Sequence, residues 1–399
     1  MAGTKAFSVS GYGPERGGIA RLLARDSTVR RLDWPLLFSA IALSLIGSVL
    51  VYSATRNRTE LNQGDPYYFF FRHILNTGIG FALMVGTVWL GHRTLRGAVP
   101  ALYGLSLVLV LLVLTPLGAT INGAHAWIVI GGGFSLQPSE FTKITIILGM
   151  AMMLAARVDA GDIVHPDHRT VVKALGLVVP PVAVIMLMPD LGSVMVIVVI
   201  VLGVLLASGA SNRWIVGLIG AGATGAVLVA VLGLLDEYQI NRFAAFANPE
   251  LDPAGVGYNT NQARIAIGSG GLAGTGLFKG SQTTGQFVPE QQTDFVFTVA
   301  GEELGFLGAG LIIVLLGVVL WRACRIARET TELYGTIVAA GIIAWFAFQS
   351  FENIGMTLGI MPVAGLPLPF VSYGGSSMFA VWVAIGLLQS IRVQRPLAA

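Results

Sequence analysis

The sequence predicts an all-α integral membrane protein of about ten transmembrane helices, with both termini cytoplasmic and a large extracytoplasmic loop between helices 7 and 8. Three observations predict it. Hydrophobic residues make up 54% of the 399 and charged residues 11%, with a mean hydropathy of +0.76, far from the soluble average. Apolar stretches of roughly 18 to 25 residues, each long enough to cross the ~30 Å hydrocarbon core as a helix, recur from Trp34 to Arg392. Basic residues segregate to alternate connections, as a fixed orientation in the membrane requires.

Residues 1–31 are polar and Arg-rich without an apolar core, so no cleavable signal is expected and the stretch reads as a mobile cytoplasmic tail. Spans are expected at about 34–54, 72–91, 97–117, 138–156, 171–188, 191–208, 214–235, 294–321, 334–357 and 374–391. They form one membrane domain, 32–392, followed by a short cytoplasmic tail, 393–399. An even number of spans puts both ends on one side. Arg16, Arg21, Arg30, Arg31, Arg93, Arg96, Arg157, Arg322, Arg325 and Arg328 lie on that side and mark it as cytoplasmic. Arg56, Arg58, Arg72, Lys143, Arg242, Arg264 and Lys279 fall in or beside outward segments together with many of the acids, which suggests a polar working surface outside. Cytoplasmic loops beside anionic lipid explain the net charge of +3, so there is no case for nucleic acid. A lone Cys324 excludes an internal disulfide. Small residues spaced by four, Gly78, Ala82 and Gly86 or Gly217, Ala221 and Gly225, are expected to let helices approach closely.

Two connections are long, and long loops in compact chains are commonly functional. The first, 119–137, carries Trp127 and then three glycines; the second, 236–293, carries many spaced apolar and aromatic residues. Within it, Gly268-Ser-Gly-Gly-Leu-Ala-Gly-Thr-Gly276 superficially suggests a nucleotide loop, but no strand precedes it and it lies on the wrong face for ATP. A flexible or tightly turned re-entrant segment is the better reading.

No zinc spacing is present, and His92, His165 and His168 fall in cytoplasmic loops, so carboxylates are the candidates for acid or base work. Asp294 sits where a long polar stretch, Phe287-Val-Pro-Glu-Gln-Gln-Thr-Asp-Phe295, meets an apolar run, a costly place for a charge unless it has a task. Glu140, Asp190, Glu290, Glu302, Glu303 and Glu352 also lie at or near span ends. Hard oxygen ligands of this kind suit Mg²⁺ or Mn²⁺, with Asp294 the candidate ligand. Each acid has a plainer alternative. Glu140 and Asp190 read equally as residues at helix starts, favoured by the dipole. Lys143, one turn after Glu140, wants either that carboxylate or a bound anion. Ser372 and Ser376, in Val371-Ser-Tyr-Gly-Gly-Ser-Ser377, open the last span and either cap it or face an anion.

Four motifs in order resemble the SEDS family, the RodA and FtsW proteins of shape, elongation, division and sporulation. They are Gln137-Pro-Ser-Glu140 with Lys143; Pro189-Asp-Leu-Gly192; Pro289-Glu-Gln-Gln-Thr-Asp-Phe295 with Glu302-Glu-Leu-Gly305; and Leu368-Pro-Phe-Val-Ser-Tyr-Gly-Gly-Ser-Ser377. Gly359-Ile-Met-Pro-Val-Ala-Gly-Leu-Pro-Leu-Pro369 and the stretch around Asn248 look more like RodA than FtsW. The resemblance implies a bacterial cytoplasmic-membrane glycosyltransferase that polymerises lipid II on the outer face, during elongation, division or sporulation, with a class B penicillin-binding transpeptidase as partner. It also implies that Asp294 is the catalytic residue and that Trp127 is important. The chain departs from the family at Ala126, where a basic residue often precedes that tryptophan.

Such chemistry has clear needs. A sugar hydroxyl attacks an anomeric carbon as a lipid pyrophosphate leaves, passing through an oxocarbenium-like state. A carboxylate such as Asp294 suits the hydroxyl as a base, and Glu290 is expected to bind substrate. Lys143, Arg242, Arg264, Lys279 or a divalent cation suits the pyrophosphate. The alternative is a lipid-linked precursor flippase, which ten helices and glycine-broken segments would also fit.

Overall fold

A computed structural model describes residues 28–121, 124–131, 134–188, 190–231, 233 and 256–394. The N-terminal tail as far as residue 27, Arg242 and most of the outer loop's first half lie outside these. After a single turn, Thr28–Arg31, the helices run α1 Trp34–Thr55, α2 Tyr68–Leu90, α3 His92–Val113, α4 Pro138–Asp159, α5 His168–Leu187, α6 Leu191–Ala207 and α7 Asn212–Val231. After the undescribed stretch come α8 Val256–Ser269, α9 Val296–Glu329, α10 Leu333–Leu358 and α11 Gly375–Val393. Eight of the described helices are long and apolar enough to span a membrane: α1 to α5 and α9 to α11. α6 is a shorter apolar helix.

Local chemistry sets the helix ends. Asp33 caps α1, its carboxylate accepting from Leu36 N at 3.2 Å, with Pro35 pre-set for the first turn. Gly91, at φ +79°, breaks the chain between α2 and α3. α3 therefore starts at His92, five residues before the expected 97, and carries exposed Arg93 and half-buried Arg96 in its first turns. α9 likewise runs on to Glu329, past the expected 321, because Arg322, Arg325 and Arg328 are accommodated at its cytoplasmic end. There Asp33 accepts two bonds from Arg322, at 2.8 and 2.5 Å, and Arg392 pairs with Glu329 at 2.8 Å.

α1, α4, α10 and α11 bury most of their apolar stretch, while α2, α3, α5 and α9 bury less than a third of theirs. α10 packs on both α4 and α6, α11 on α2, and α9 on α1 and α10. Close approach uses glycine, but not the glycines that the four-residue spacing picks out. A Cβ at Gly80 would lie 2.7 Å from the Trp382 ring and one at Gly386 would lie 2.9 Å from Met84 O, so α2 and α11 meet there. Among the described residues, a Cβ at Gly78, Gly86, Gly217 or Gly225 would meet nothing within 4 Å. The expected packing role of those positions is corrected accordingly: among the described residues they meet no neighbouring helix.

The connection over 119–137, expected as a loop, contains a three-stranded antiparallel sheet, β1 Gly118–Ile121, β2 Ala124–Gly131 and β3 Phe134–Leu136. The aromatic and β-branched run from Trp127 to Ile130 suits a strand. The register pairs Ala119 with Trp127 and Thr120 with His125, so Ala126 is the extra residue of a bulge, and it is buried. His125 fastens the sheet to the membrane domain, one ring nitrogen 2.9 Å from Val113 O and the other 3.0 Å from Thr120 Oγ1.

Candidate active site

The turn that delivers Asp294 is built on Glu290. Its φ of +47° is unusual for a residue with a side chain, and its carbonyl accepts from the backbone N–H groups of Thr293, Asp294 and Phe295 at 3.1–3.2 Å. The Glu290 carboxylate accepts from Gln292 Nε2 and Thr293 Oγ1, each at 3.2 Å. Glu290, expected to bind substrate, thus has its carboxylate engaged within the turn. Buried Arg58 reaches in from the α1–α2 connection and donates to Val288 O at 2.7 Å. Burial pushes its pKa down, and the Glu290 carboxylate opposes that shift.

Asp294 itself is half-buried at the mouth of α9. Three elements meet around it. The Asn353 amide of α10 donates to Asp294 O at 2.8 Å. Gly365, at φ +71°, lies against its carboxylate, since a Cβ there would fall 3.4 Å from Asp294 Oδ2. Its neighbour Phe295 packs with Val288 and with Ala263 and Ala266, the buried face of α8.

α8 turns the rest of its surface outward. Tyr258, Asn261, Gln262, Arg264 and Ile265 line an open cleft of about 620 Å³. Arg264 is exposed, and its aliphatic stem lies close to Gly359, the left-handed cap of α10. A guanidinium is thereby presented on the helix that covers Phe295. Lys279 is also exposed, on the turn after the glycine run.

That run is a tight turn rather than a phosphate cradle. It docks backbone to backbone on a π-helical turn of α9, Ala300–Leu304. π-turns leave carbonyls without regular partners, and here Thr275 N and Gly276 N donate to Glu302 O and Glu303 O at 2.9 and 3.1 Å. Only glycine permits this approach. A Cβ at Gly270 would lie 1.9 Å from Gly301 O, and one at Gly274 would lie 2.1 Å from Glu303 O. The Glu302 carboxylate caps the short turn Ser281–Thr284, accepting from Gln282 N, Thr283 N and Thr283 Oγ1 at 2.7–2.9 Å.

Several expected site residues turn out to be internal. Lys143 and Glu140 are both fully buried, with Nζ 2.8 Å from Oε1. Lys143 also donates to Gln349 Oε1 at 3.2 Å and sits 4.8 Å from the centre of the Trp345 ring. This is the structural alternative for Lys143, and its use as a direct phosphate contact is corrected: no face of the ammonium is open. Ser372 Oγ accepts from Leu368 N, and Ser376 Oγ accepts from Gln137 N, each at 2.8 Å, so both hydroxyls brace backbone rather than face an anion. Asp190 caps α6 through Ser193 N at 3.0 Å. Trp127 is half-buried in β2. Asn353, Gln349 and Gly365 are not expected from the sequence, although an amide in an apolar span, at 349 or 353, is an available signal for two of them; Arg58 is expected only as one of several outward basic residues.

Residues 34–396 match the family model described as "Cell cycle protein", which covers the FtsW, RodA and SpoVE proteins. The chain is 38% identical over 363 residues to stage V sporulation protein E of Bacillus subtilis (strain 168), covering 90% of this chain and 96% of that one. It is 34% identical over 379 residues to a protein of Trichlorobacter lovleyi named "Probable peptidoglycan glycosyltransferase FtsW", covering 94% and 97%. Among solved structures, a chain from a peptidoglycan synthase complex that coordinates polymerization and crosslinking superposes with a TM-score of 0.73 at 31% identity, covering 90% and 97%. The rod shape determining protein RodA of Thermus thermophilus gives 0.66 at 30% identity, covering 92% and 98%.

Proposed function

The chain belongs to the FtsW, RodA and SpoVE family of cell cycle proteins, and from that premise we propose that it is a peptidoglycan glycosyltransferase, polymerising lipid II at the outer face of the bacterial cytoplasmic membrane. The observation that carries this reading is Asp294: a carboxylate at a helix mouth, backed by Gly365 and held through its own carbonyl, below a helix that offers Arg264 to an open cleft.

Asp294 takes the proton of the attacking sugar hydroxyl as its oxygen bonds to the anomeric carbon of the second substrate. The bond from that carbon to the lipid pyrophosphate breaks, and negative charge grows on the leaving group. Arg264 and Lys279, exposed on the same outer segment, neutralise it. Among the described residues no three Asp, Glu, His or Cys side chains converge. In the alternative in which Asp294 serves as a metal ligand rather than as the base, it would hold Mg²⁺ or Mn²⁺ as the protein carboxylate, with water and substrate phosphate completing the shell. The ion would supply Lewis-acid stabilisation of the pyrophosphate.

The superposition on a chain from a synthase complex supports a transpeptidase of the penicillin-binding class as partner. The reading is tested with purified protein and that partner in detergent, without a sealed bilayer. Glycan strands formed from lipid II support it; unchanged lipid II, with transport appearing only in vesicles, contradicts it.

A further inference from the structure

Asn353 is fully buried near the outer end of α10, and its Nδ2 donates to two carbonyls, Asp294 O at 2.8 Å and Leu366 O at 2.7 Å. Both acceptors lie on chain that has left regular helix. Asp294 is in the turn before α9, and Leu366 is in the Met361–Pro369 segment between α10 and α11. Such carbonyls have no helical partner, and inside a membrane domain an unmet one is costly. A primary amide carries two N–H groups and can serve one acceptor on each side. A single side chain therefore fastens two separate segments to one helix.

What it fastens is the site. Leu366 follows Gly365, the residue whose Cα faces Asp294 Oδ2. The Asn353 bonds thus set the height of the Asp294 turn and the height of the surface behind its carboxylate together. Two other side chains hold the same segment without touching the Asp294 turn. Gln349 Nε2 donates to Pro367 O at 2.7 Å, and Ser372 Oγ accepts from Leu368 N at 2.8 Å.

We propose that Asn353 is a positioning residue for Asp294, coupling the carboxylate to the Gly365 segment so that it meets the acceptor hydroxyl in a reactive geometry. The proposal rests on the reading of Asp294 as the proton acceptor. Asn353 does not touch substrate; it acts on kcat through where Asp294 sits.

The full chain with its transpeptidase partner, in detergent, is assayed on lipid II as wild type, Asn353→Ala, Asn353→Ser, Asp294→Glu and the Asn353→Ala/Asp294→Glu double variant. Asn353→Ala is expected to lower kcat ~10- to 100-fold, the effect of a misplacement of about 1 Å. KM for lipid II should stay within about twofold, because ground-state binding is untouched. Asn353→Ser, whose one hydroxyl can donate to one carbonyl, should fall between, and it decides the matter on the same readouts if the alanine variant does not fold. In the Asp294→Glu background the carboxylate is already displaced by a methylene, so adding Asn353→Ala should cost a much smaller factor. Wild-type kcat, a loss carried by KM, or an equal loss in both backgrounds would overturn the proposal. Asp294→Asn in the same assay separates the two failures. If it polymerises at the wild-type rate, the reading of Asp294 fails; if it is inactive while the Asn353 variants behave as wild type, only the positioning role fails.

Discussion

Lys143 Nζ lies 2.8 Å from Glu140 Oε1 with both side chains fully buried, one helical turn apart on α4. Two charges removed from water are tolerable only together, so removing one is far worse than removing both. Lys143→Met should destabilise the protein by about 3–5 kcal/mol, and Glu140→Gln/Lys143→Met should recover most of that loss. Thermal unfolding in detergent measures it. Equal destabilisation by the single and double variants would show that the pair is not the relevant unit.

The glycines divide by what stands opposite them. Gly270→Ala drives a methyl group into Gly301 O and should undock the glycine run from the π-turn, costing about 1–3 kcal/mol. Gly217→Ala on α7, whose Cβ would meet nothing within 4 Å among the described residues, should stay within about 0.5 kcal/mol of wild type. Limited proteolysis of the outer segment, read beside the unfolding temperature, distinguishes the two.

Glu302 caps the Ser281–Thr284 turn with three accepted bonds. Glu302→Ala leaves those donors without their partner, at about 1–3 kcal/mol of local stability. Hydrogen exchange should accelerate over 275–285 while α4 and α10 keep their protection. Unchanged exchange over 275–285 would rule out the capping role.

Asp167 caps α5 from the exposed cytoplasmic side, accepting from Thr170 N at 3.0 Å. Bonds from the Thr170 side chain and backbone, with a smaller contribution from Arg157, hold its carboxyl below the usual carboxylate range. A depressed folded-state value means that the stabilisation is fully present above the unfolded value, about 3.9, and is lost as pH falls through the lower folded one. The protection of the first turn of α5, taken relative to the intrinsic exchange rate at each pH, should therefore fall only in acid, and Asp167→Ala should abolish that dependence.

Much of the membrane domain was legible because a span is a run of apolar residues, and length alone locates it to within a few residues. Its ends were less so. Arg93 and Arg322 belong to helices since cytoplasmic helix ends admit charged side chains, which composition reads as loop. The sheet around Trp127 was hidden because eight residues with a bulge at Ala126 lack clean alternation. Asp294 stood out through the cost of its charge. Its supports did not, because Asn353 and Gly365 act through backbone contacts across 59 and 71 positions (353 − 294 and 365 − 294) that only the folded chain brings together. Lys143 shows the opposite failure: from sequence, a buried pair and a waiting anion site look alike.

The most direct measurement is the rate of lipid II polymerisation by Asp294→Asn, purified in detergent with the proposed transpeptidase partner. The variant keeps the size of the side chain and the carbonyl that Asn353 holds, and loses only the carboxylate. The account predicts a fall of about 10²- to 10⁴-fold with an unchanged unfolding temperature and intact partner binding. Polymerisation at the wild-type rate would contradict it.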